Sequence, residues 1–154
     1  MLKVAVQMDP MSTVTMDGDS TFALMLEAQR RGHALWHYEV RHMTLQHGKR
    51  LVAKAHPIRV QRVAGHLYDF GAPEVLDLST MDVVLMRQDP PFDMAYITAT
   101  HMLEHIHPHT LVVNDPAQVR NAPEKLLVTH FPELMPPTII TSERPSTTRP
   151  TSPA

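Results

Sequence analysis

The chain has 154 residues, of which 43% are hydrophobic and 19% are charged. This balance is typical of one globular domain and excludes a chain that is disordered over most of its length. Lys and Arg number 14 against 16 Asp and Glu, and the formal net charge of -2 gives no basic field that would indicate nucleic acid or a membrane surface as partner.

Cysteine is absent from the sequence, which excludes disulfides, thiolate metal sites and cysteine nucleophiles. The apolar run from Met1 to Met8 is too short for the core of a signal peptide and has no small-residue cleavage site after it. No segment reaches the roughly 18 consecutive apolar residues that a membrane helix needs. We therefore expect a cytoplasmic protein.

The amino-terminal segment predicts a buried strand followed by a helix. Leu2 to Met8 is a short apolar run, and an Asp-Pro pair ends it because proline cannot donate to a sheet ladder. Asp19 and Ser20 offer the side-chain oxygens of a helix N-cap, and helix-favouring residues continue to Gly32, which suits a C-cap. The sequence therefore predicts a helix that begins near Ser20.

One face of this helix is apolar and is followed by a second strand. Phe22, Met25, Leu26 and Gln29 follow helical spacing, so we expect them to lie on a sheet. Residues 33–40 supply the next strand. A strand, helix and strand in this order form a βαβ unit with a right-handed crossover, which predicts an α/β fold with a mostly parallel sheet flanked by helices.

Residues 43–68 depart from this alternation. His47 and Gly48 give a turn signal, and residues 51–63 carry β-branched side chains at irregular spacing. We predict an antiparallel β-hairpin inserted beside the parallel sheet.

The second half of the chain returns to alternating strands and helices. We predict, in order, a strand at 82–87, a rigid turn at 88–91, a helix at 93–107, a strand at 110–114, a helix at 122–131 with Pro123 in its first turn, and a strand at 138–141. Residues 143–154 are rich in Pro, Ser and Thr, which predicts a disordered tail after a domain of residues 1–142.

Three predicted strands end in polar residues beside proline. Asp9 follows the first strand, Arg87 and Asp89 follow the middle strand, and Asn114 follows a later one. Ligands of open α/β sheets bind beyond the carboxyl ends of strands, and proline restricts the loops that would hold these side chains. Asp-Pro and Asn-Asp-Pro are also common turn and cap formers, and the sequence leaves both interpretations open.

Arg87 is the strongest single candidate in these loops. A guanidinium at the end of a buried strand is costly unless it meets a carboxylate. Such an arginine either binds the carboxylate of a substrate or pairs with Asp89 or Asp93, and the sequence does not separate these alternatives.

Two further patterns concern cofactors. The five glycines lie at 18, 32, 48, 65 and 71, and none belongs to a Gly-rich phosphate loop, so we expect no independent nucleotide site. Residues 101–105 match H-x-x-E-H, the pattern of some zinc hydrolases. With 11 histidines in the chain this spacing arises easily, and we expect an exposed helix face, no metal site and no catalytic residue here.

The family resemblance of the chain rests on four segments in order, Val6–Pro10, Asp19–His33, Met81–Asp93 and Val112–Leu126, and on Phe131–Thr138. Together they resemble the amino-terminal domain of prokaryotic glutathione synthetases. The resemblance covers the chain to about residue 142. It implies a Rossmann-like preATP-grasp domain that forms one wall of the cleft in which γ-glutamylcysteine and glycine are joined.

The resemblance also implies which loops face the substrate. The residues that carry over are Asp9, Ser20, Arg87, Asp89 and Asn114, which would line the peptide substrate pocket or brace this lobe against other lobes and subunits. ATP and magnesium belong, in the family, to two carboxyl-terminal ATP-grasp lobes whose ligands have no counterparts in these 154 residues.

The expected function is therefore the substrate-side lobe of an ATP-dependent ligase. We expect this lobe to be inactive by itself. The hypothesis for the missing ATP-grasp lobes is a frameshift or early stop in a longer gene. The expected partners are γ-glutamylcysteine or glycine, ATP-grasp lobes or ligase subunits, and further copies in a homo-oligomer. The alternative is a non-catalytic binding or assembly module that docks on an intact ligase or binds the dipeptide.

Overall fold

The computed structural model describes residues 1–143. The chain divides into two compact units, Met1–Asn121 and Ala122–Ala154, and each is considered by itself. The described part contains eight strands and four α-helices. The strands are β1 Lys3–Gln7, β2 Ala34–Tyr38, β3 Met43–Gln46, β4 Arg50–Val60, β5 Tyr68–Phe70, β6 Glu74–Asp77, β7 Val83–Met86 and β8 Leu111–Val113; the helices are α1 Ser20–Arg30, α2 Met94–Glu104, α3 Pro116–Asn121 and α4 Glu124–Leu127.

The strands of the first unit form one mixed sheet in the order β3-β4-β2-β1-β7-β8. The ladders of β1 with β2, β1 with β7, and β7 with β8 are parallel. The ladders of β4 with β2, β3, β5 and β6 are all antiparallel. The predicted α/β class with a Rossmann-like parallel part is thus confirmed, and the antiparallel part includes two strands, β5 and β6, that the sequence did not predict.

The predicted hairpin is present as β3 and β4. Leu45 of β3 pairs with Leu51 of β4, and the turn between the strands lies at His47–Lys49. Gly48 has a φ of 76°, a conformation that glycine adopts without the steric cost that a Cβ would impose. The turn signal read from the sequence is therefore confirmed.

Helix α1 begins and ends as its capping residues predict. The Asp19 side chain accepts a hydrogen bond from the backbone N–H of Phe22 at 2.8 Å, and Gly32 follows the helix with a φ of 77°. Phe22 and Met25 are buried, whereas Leu24 on another face is 47% exposed. The apolar face predicted from helical spacing is the face that packs on the sheet.

Two hydrophobic clusters form from alternate residues of the same strands. Val4 and Val6 of β1 pack with Phe22 of α1 in one cluster. Ala5 of β1 packs with Leu103 of α2 in the other. Because side chains alternate between the faces of a strand, α1 and α2 cover opposite faces of the sheet.

Several predictions in the carboxyl-terminal part were wrong in detail. The predicted helix at 122–131 is the short helix α4 followed by a 3-10 turn at Val128–His130, and α3 was not predicted. Residues 138–141 form no strand; Ile139 and Ile140 are 66% and 49% exposed. Their β-branched side chains favour a strand locally, but a strand forms only when a neighbour supplies hydrogen bonds, and no ladder within the described residues includes them.

The predicted boundary of the domain at residue 142 stays a prediction. Apart from Glu143, the predicted disordered tail lies outside the described residues. The longest helices, α1 and α2, have 11 residues each, and no helix within residues 1–143 has the length and apolar character needed to cross a membrane.

Candidate functional site

The strand order places a topological switch point at the carboxyl ends of β1 and β7, the kind of edge where open α/β sheets bind ligands, and we call this edge the crevice. The chain leaves β1 through α1 to β2 on one side, whereas β7 lies on the other side of β1. At such a switch point the connections that follow the two strands run to opposite sides of the sheet, and ligands of open α/β sheets bind there. The residues that follow β1 and β7 are Met8–Pro10 and Arg87–Asp89, which include three of the predicted site residues.

Asp9 joins the two loops. Its Oδ2 atom accepts a hydrogen bond from the backbone N–H of Asp89 at 2.7 Å, across 80 residues of sequence. Asp9 is half-buried by this contact, whereas Asp89 is exposed. The carboxylate of Asp9 therefore has a positioning role, and the carboxylate of Asp89 remains open to solvent.

Arg87 reaches across the crevice to the start of α1. Its Nε donates to Oγ1 of Thr21 at 3.1 Å, and one terminal nitrogen donates to Oγ of Ser20 at 2.7 Å. Within residues 1–143 the guanidinium forms no ion pair with Asp89 or Asp93, and Asp93 instead caps α2 by accepting from the N–H of Tyr96. The alternative of a clamp between Arg87 and a nearby aspartate is therefore wrong.

The electrostatics of this corner favour an anion. The hydroxyls of Ser20 and Thr21 orient the guanidinium but carry no charge that would balance it. The amino-terminal end of α1 adds a partial positive charge from the helix dipole. The carboxylate of Asp19 already occupies that helix end, so a ligand carboxylate at this position would pair with the guanidinium of Arg87, which forms no ion pair within residues 1–143.

Two aromatic side chains lie where the β7 loop leads into α2: Phe92 just before the helix and Tyr96 in its first turn. The rings of Phe92 and Tyr96 stand 5.0 Å apart, and Phe92 is 45% exposed. Burial raises the pKa of Tyr96, and the charge of Arg87 acts in the opposite direction. The side chain of Tyr96 therefore lies close enough to Arg87 for the charge of the guanidinium to act on its hydroxyl.

Asn114 follows the strand next to β7, one residue past the pairing of Leu85 with Val113. It follows β8, which is separated from β1 by β7, and its side chain is exposed. Within residues 1–143 it forms no side-chain hydrogen bond, whereas Asp115 caps α3 by accepting from the N–H of Gln118 at 2.9 Å. Hydrogen bonds thus join Asp9 to Asp89 and Arg87 to Ser20, and within the described residues none joins Asn114 to them.

Residues 2–120 match the family described as prokaryotic glutathione synthetase, N-terminal domain. The chain belongs to this family. It is 58% identical to the glutathione synthetase of Brucella melitensis and 58% identical to that of Mesorhizobium japonicum, each over 142 residues that make up 92% of this chain and 45% of the relative. The glutathione synthetase of Vibrio parahaemolyticus is 42% identical over the same length and shares. The chain thus spans about half the length of the curated relatives it matches.

The sequence did not single out Gln7, a residue of this N-terminal domain that lies directly behind the crevice. Its side chain is fully buried at the end of β1; its oxygen accepts from the hydroxyl of Tyr38 at 3.1 Å, and its nitrogen donates to the side-chain oxygen of Gln88. Burial raises the pKa of Tyr38, so its hydroxyl remains a donor. A polar residue in an otherwise apolar strand was the signal that could have indicated it.

His37 supports the crevice from β2. Its Nε2 lies 3.1 Å from the backbone oxygen of Asp9, and the side chain is buried in this N-terminal domain. Burial lowers the pKa of His37, although the contact with Asp9 and the charge of Glu39 act in the opposite direction. The neutral imidazole is therefore the form that the folded domain favours.

We predict that this domain loses stability as the pH falls from about 7.5 to about 5.5. Because the pKa of His37 is lowered on folding, the unfolded chain binds a proton that the folded chain resists, so acidification favours unfolding. Urea unfolding at the two pH values measures the loss, and His37→Gln should show a smaller one. Glu27 and Asp77, whose pKa values are lowered, change protonation at more acidic pH than this window. An equal loss in the variant would contradict the assignment.

The H-x-x-E-H segment of α2 connects this helix to α3 through an ion pair. Glu104 pairs with Arg120 of α3, and His101 Nδ1 lies 4.0 Å from the Glu104 carboxylate. Within the part of the chain that the structure describes, no three His, Cys, Asp or Glu side chains converge as a metal site would require. The observed contacts give this segment a structural role.

Three open cavities lie away from the crevice. One, of about 600 Å³, lies where β2 and β4 diverge and includes Leu35, Trp36 and Ile58 in its walls. In the same gap the side-chain amide of Gln29 exchanges two hydrogen bonds with the backbone of Val60, at 2.8 and 2.9 Å, and so replaces a missing strand partner. None of the three cavities is lined by Asp9, Arg87 or Asp89.

Proposed function

We propose that this chain is the substrate-side lobe of a glutathione synthetase, the ATP-dependent ligase that joins γ-glutamylcysteine to glycine. The observation that carries the proposal is the family match over residues 2–120, combined with the position of Arg87 at the switch point of the sheet, where hydroxyls of α1 hold its guanidinium. In this proposal Arg87 binds a carboxylate of the peptide substrate.

The geometry of Arg87 suits that role. A guanidinium has five N–H donors in a planar fork, and the hydrogen bonds to Ser20 and Thr21 use only part of this set. The remaining donors can meet a carboxylate, which pairs with arginine through two parallel hydrogen bonds. The two hydroxyls fix the orientation of the fork before the ligand binds, so less side-chain entropy is lost on binding.

The proposal places no site for ATP or magnesium among the described residues. The sequence contains no Gly-rich phosphate loop, and residues 1–143 bring no three metal-ligating side chains together. We therefore assign no step of phosphoryl transfer to this chain. The 154 residues by themselves are proposed to bind substrate without ligating it.

Two measurements on the purified 154-residue chain test this proposal. Calorimetric titration with γ-glutamylcysteine should show saturable binding, and a coupled assay with ATP, magnesium, γ-glutamylcysteine and glycine should show no ADP release. ADP release dependent on both substrates would contradict the proposed inactivity. Absence of dipeptide binding, together with co-elution of the chain with an intact glutathione synthetase, would support the assembly module instead.

A further inference from the structure

A buried chain of hydrogen bonds runs behind the proposed carboxylate site. It starts at the hydroxyl of Tyr38 on β2, passes through the carboxamide of Gln7 on β1, and ends at the side chain of Gln88 in the loop after β7. Tyr38 and Gln7 are 1% and 0% exposed. No other side-chain hydrogen bond in the described part links β2 to this loop.

The network has a defined direction. Because the Tyr38 hydroxyl donates to the Gln7 oxygen, the carboxamide must present its NH₂ group to the loop. The Gln88 oxygen accepts from that group, so the loop is bonded to the sheet interior by a side chain as well as by its backbone. A buried amide that lost either partner would leave an unsatisfied polar atom, which is costly.

Gln88 lies between Arg87 and Asp89, the two predicted site residues of this loop. On one side, the backbone N–H of Arg87 donates to the backbone oxygen of Gln7 at 2.7 Å. On the other, the N–H of Asp89 donates to Asp9. Fixing the side chain of Gln88 therefore restricts the backbone that carries the guanidinium and the bond between the two loops.

We infer that Gln7 is a positioning residue, whose buried carboxamide holds the Arg87–Asp89 loop in the conformation that binds the substrate carboxylate. This inference rests on the proposed function for the identity of the ligand. The hydrogen bonds by which Gln7 holds the loop can be tested without any ligand.

The first experiment uses NMR of the isotope-labelled 154-residue chain without ligand. In Gln7→Leu, which keeps most of the side-chain volume, the Nε–H of Arg87 should exchange with water about fivefold faster or more, and the amide resonance of Asp89 should shift. If Gln7→Leu does not fold, Gln88→Leu takes its place. It changes a half-buried residue and should give the same two effects. Gln29→Leu is the matched control, because it removes a bridging amide at the distant gap between β2 and β4.

The second experiment repeats the titration with γ-glutamylcysteine. Gln7→Leu and Gln88→Leu should each raise the Kd about tenfold, and the double variant should raise it no further than the stronger single variant. If the wild-type chain does not bind the dipeptide, the proposed function fails while the NMR result still decides the role of Gln7. Unchanged Arg87 and Asp89 signals in Gln88→Leu would overturn the inference, whatever the fate of Gln7→Leu.

Discussion

Arg87→Ala is expected to raise the Kd for γ-glutamylcysteine by about 10- to 100-fold, because a hydrogen bond to a charged group contributes about 1.5–3 kcal/mol. The substitution removes the cation that Ser20 and Thr21 orient toward the crevice. Calorimetric titration of the 154-residue chain measures the effect. Arg87→Lys should lie between the wild type and Arg87→Ala, because lysine keeps the charge but not the planar fork.

The control for this prediction is Arg59→Ala. Arg59 is an exposed arginine of β4, and it lines the gap between β2 and β4 instead of the crevice. Its removal changes the net charge by the same amount, so a general electrostatic effect would weaken binding equally in both variants. Equal Kd values for the two variants would mean that Arg87 does not contact the ligand.

Phe22→Ala is expected to lower the free energy of unfolding by about 3–5 kcal/mol. Phe22 is 1% exposed and packs between α1 and β1, in the cluster that contains Val4 and Val6. Removing the ring loses its transfer free energy and leaves a cavity that the neighbouring side chains fill only in part. Urea unfolding followed by circular dichroism measures the change.

Leu24→Ala, on the same helix, is the matched control. Leu24 is 47% exposed, and alanine has at least as high a helix propensity as leucine. The expected change is within about 0.5 kcal/mol. Similar losses for the two variants would show that α1 does not pack on the sheet through the face that Phe22 occupies.

The local elements of the first unit could be predicted because their signals lie within a few residues. The carboxylate of Asp19 caps α1 only three residues away, at Phe22. Gly48 sits at the turn position whose positive φ favours glycine. The same reasoning failed at residues 138–141, where local β-propensity had no partner strand to support it. Strands β5 and β6 were missed because their pairing with β4 is not encoded in their own short sequences.

The features of the candidate site also divide into those that the sequence indicated and those that only the tertiary structure revealed. The sequence by itself placed Asp9, Arg87, Asp89 and Asn114 at the ends of predicted strands, and the resemblance to the family added Ser20. Only the tertiary structure decided that hydroxyls of α1 hold Arg87 and that the Asp9 carboxylate bonds to the backbone of Asp89.

The same limit explains why Gln7 was not predicted. The contacts from Gln7 to Gln88 and from Arg87 to Ser20 span 81 and 67 residues of sequence. Patterns of capping, turn formation and periodicity act over one or two turns of a helix and specify where each element begins and ends. Which side chains meet across the sheet depends on strand order and register, which are fixed only when the whole core packs.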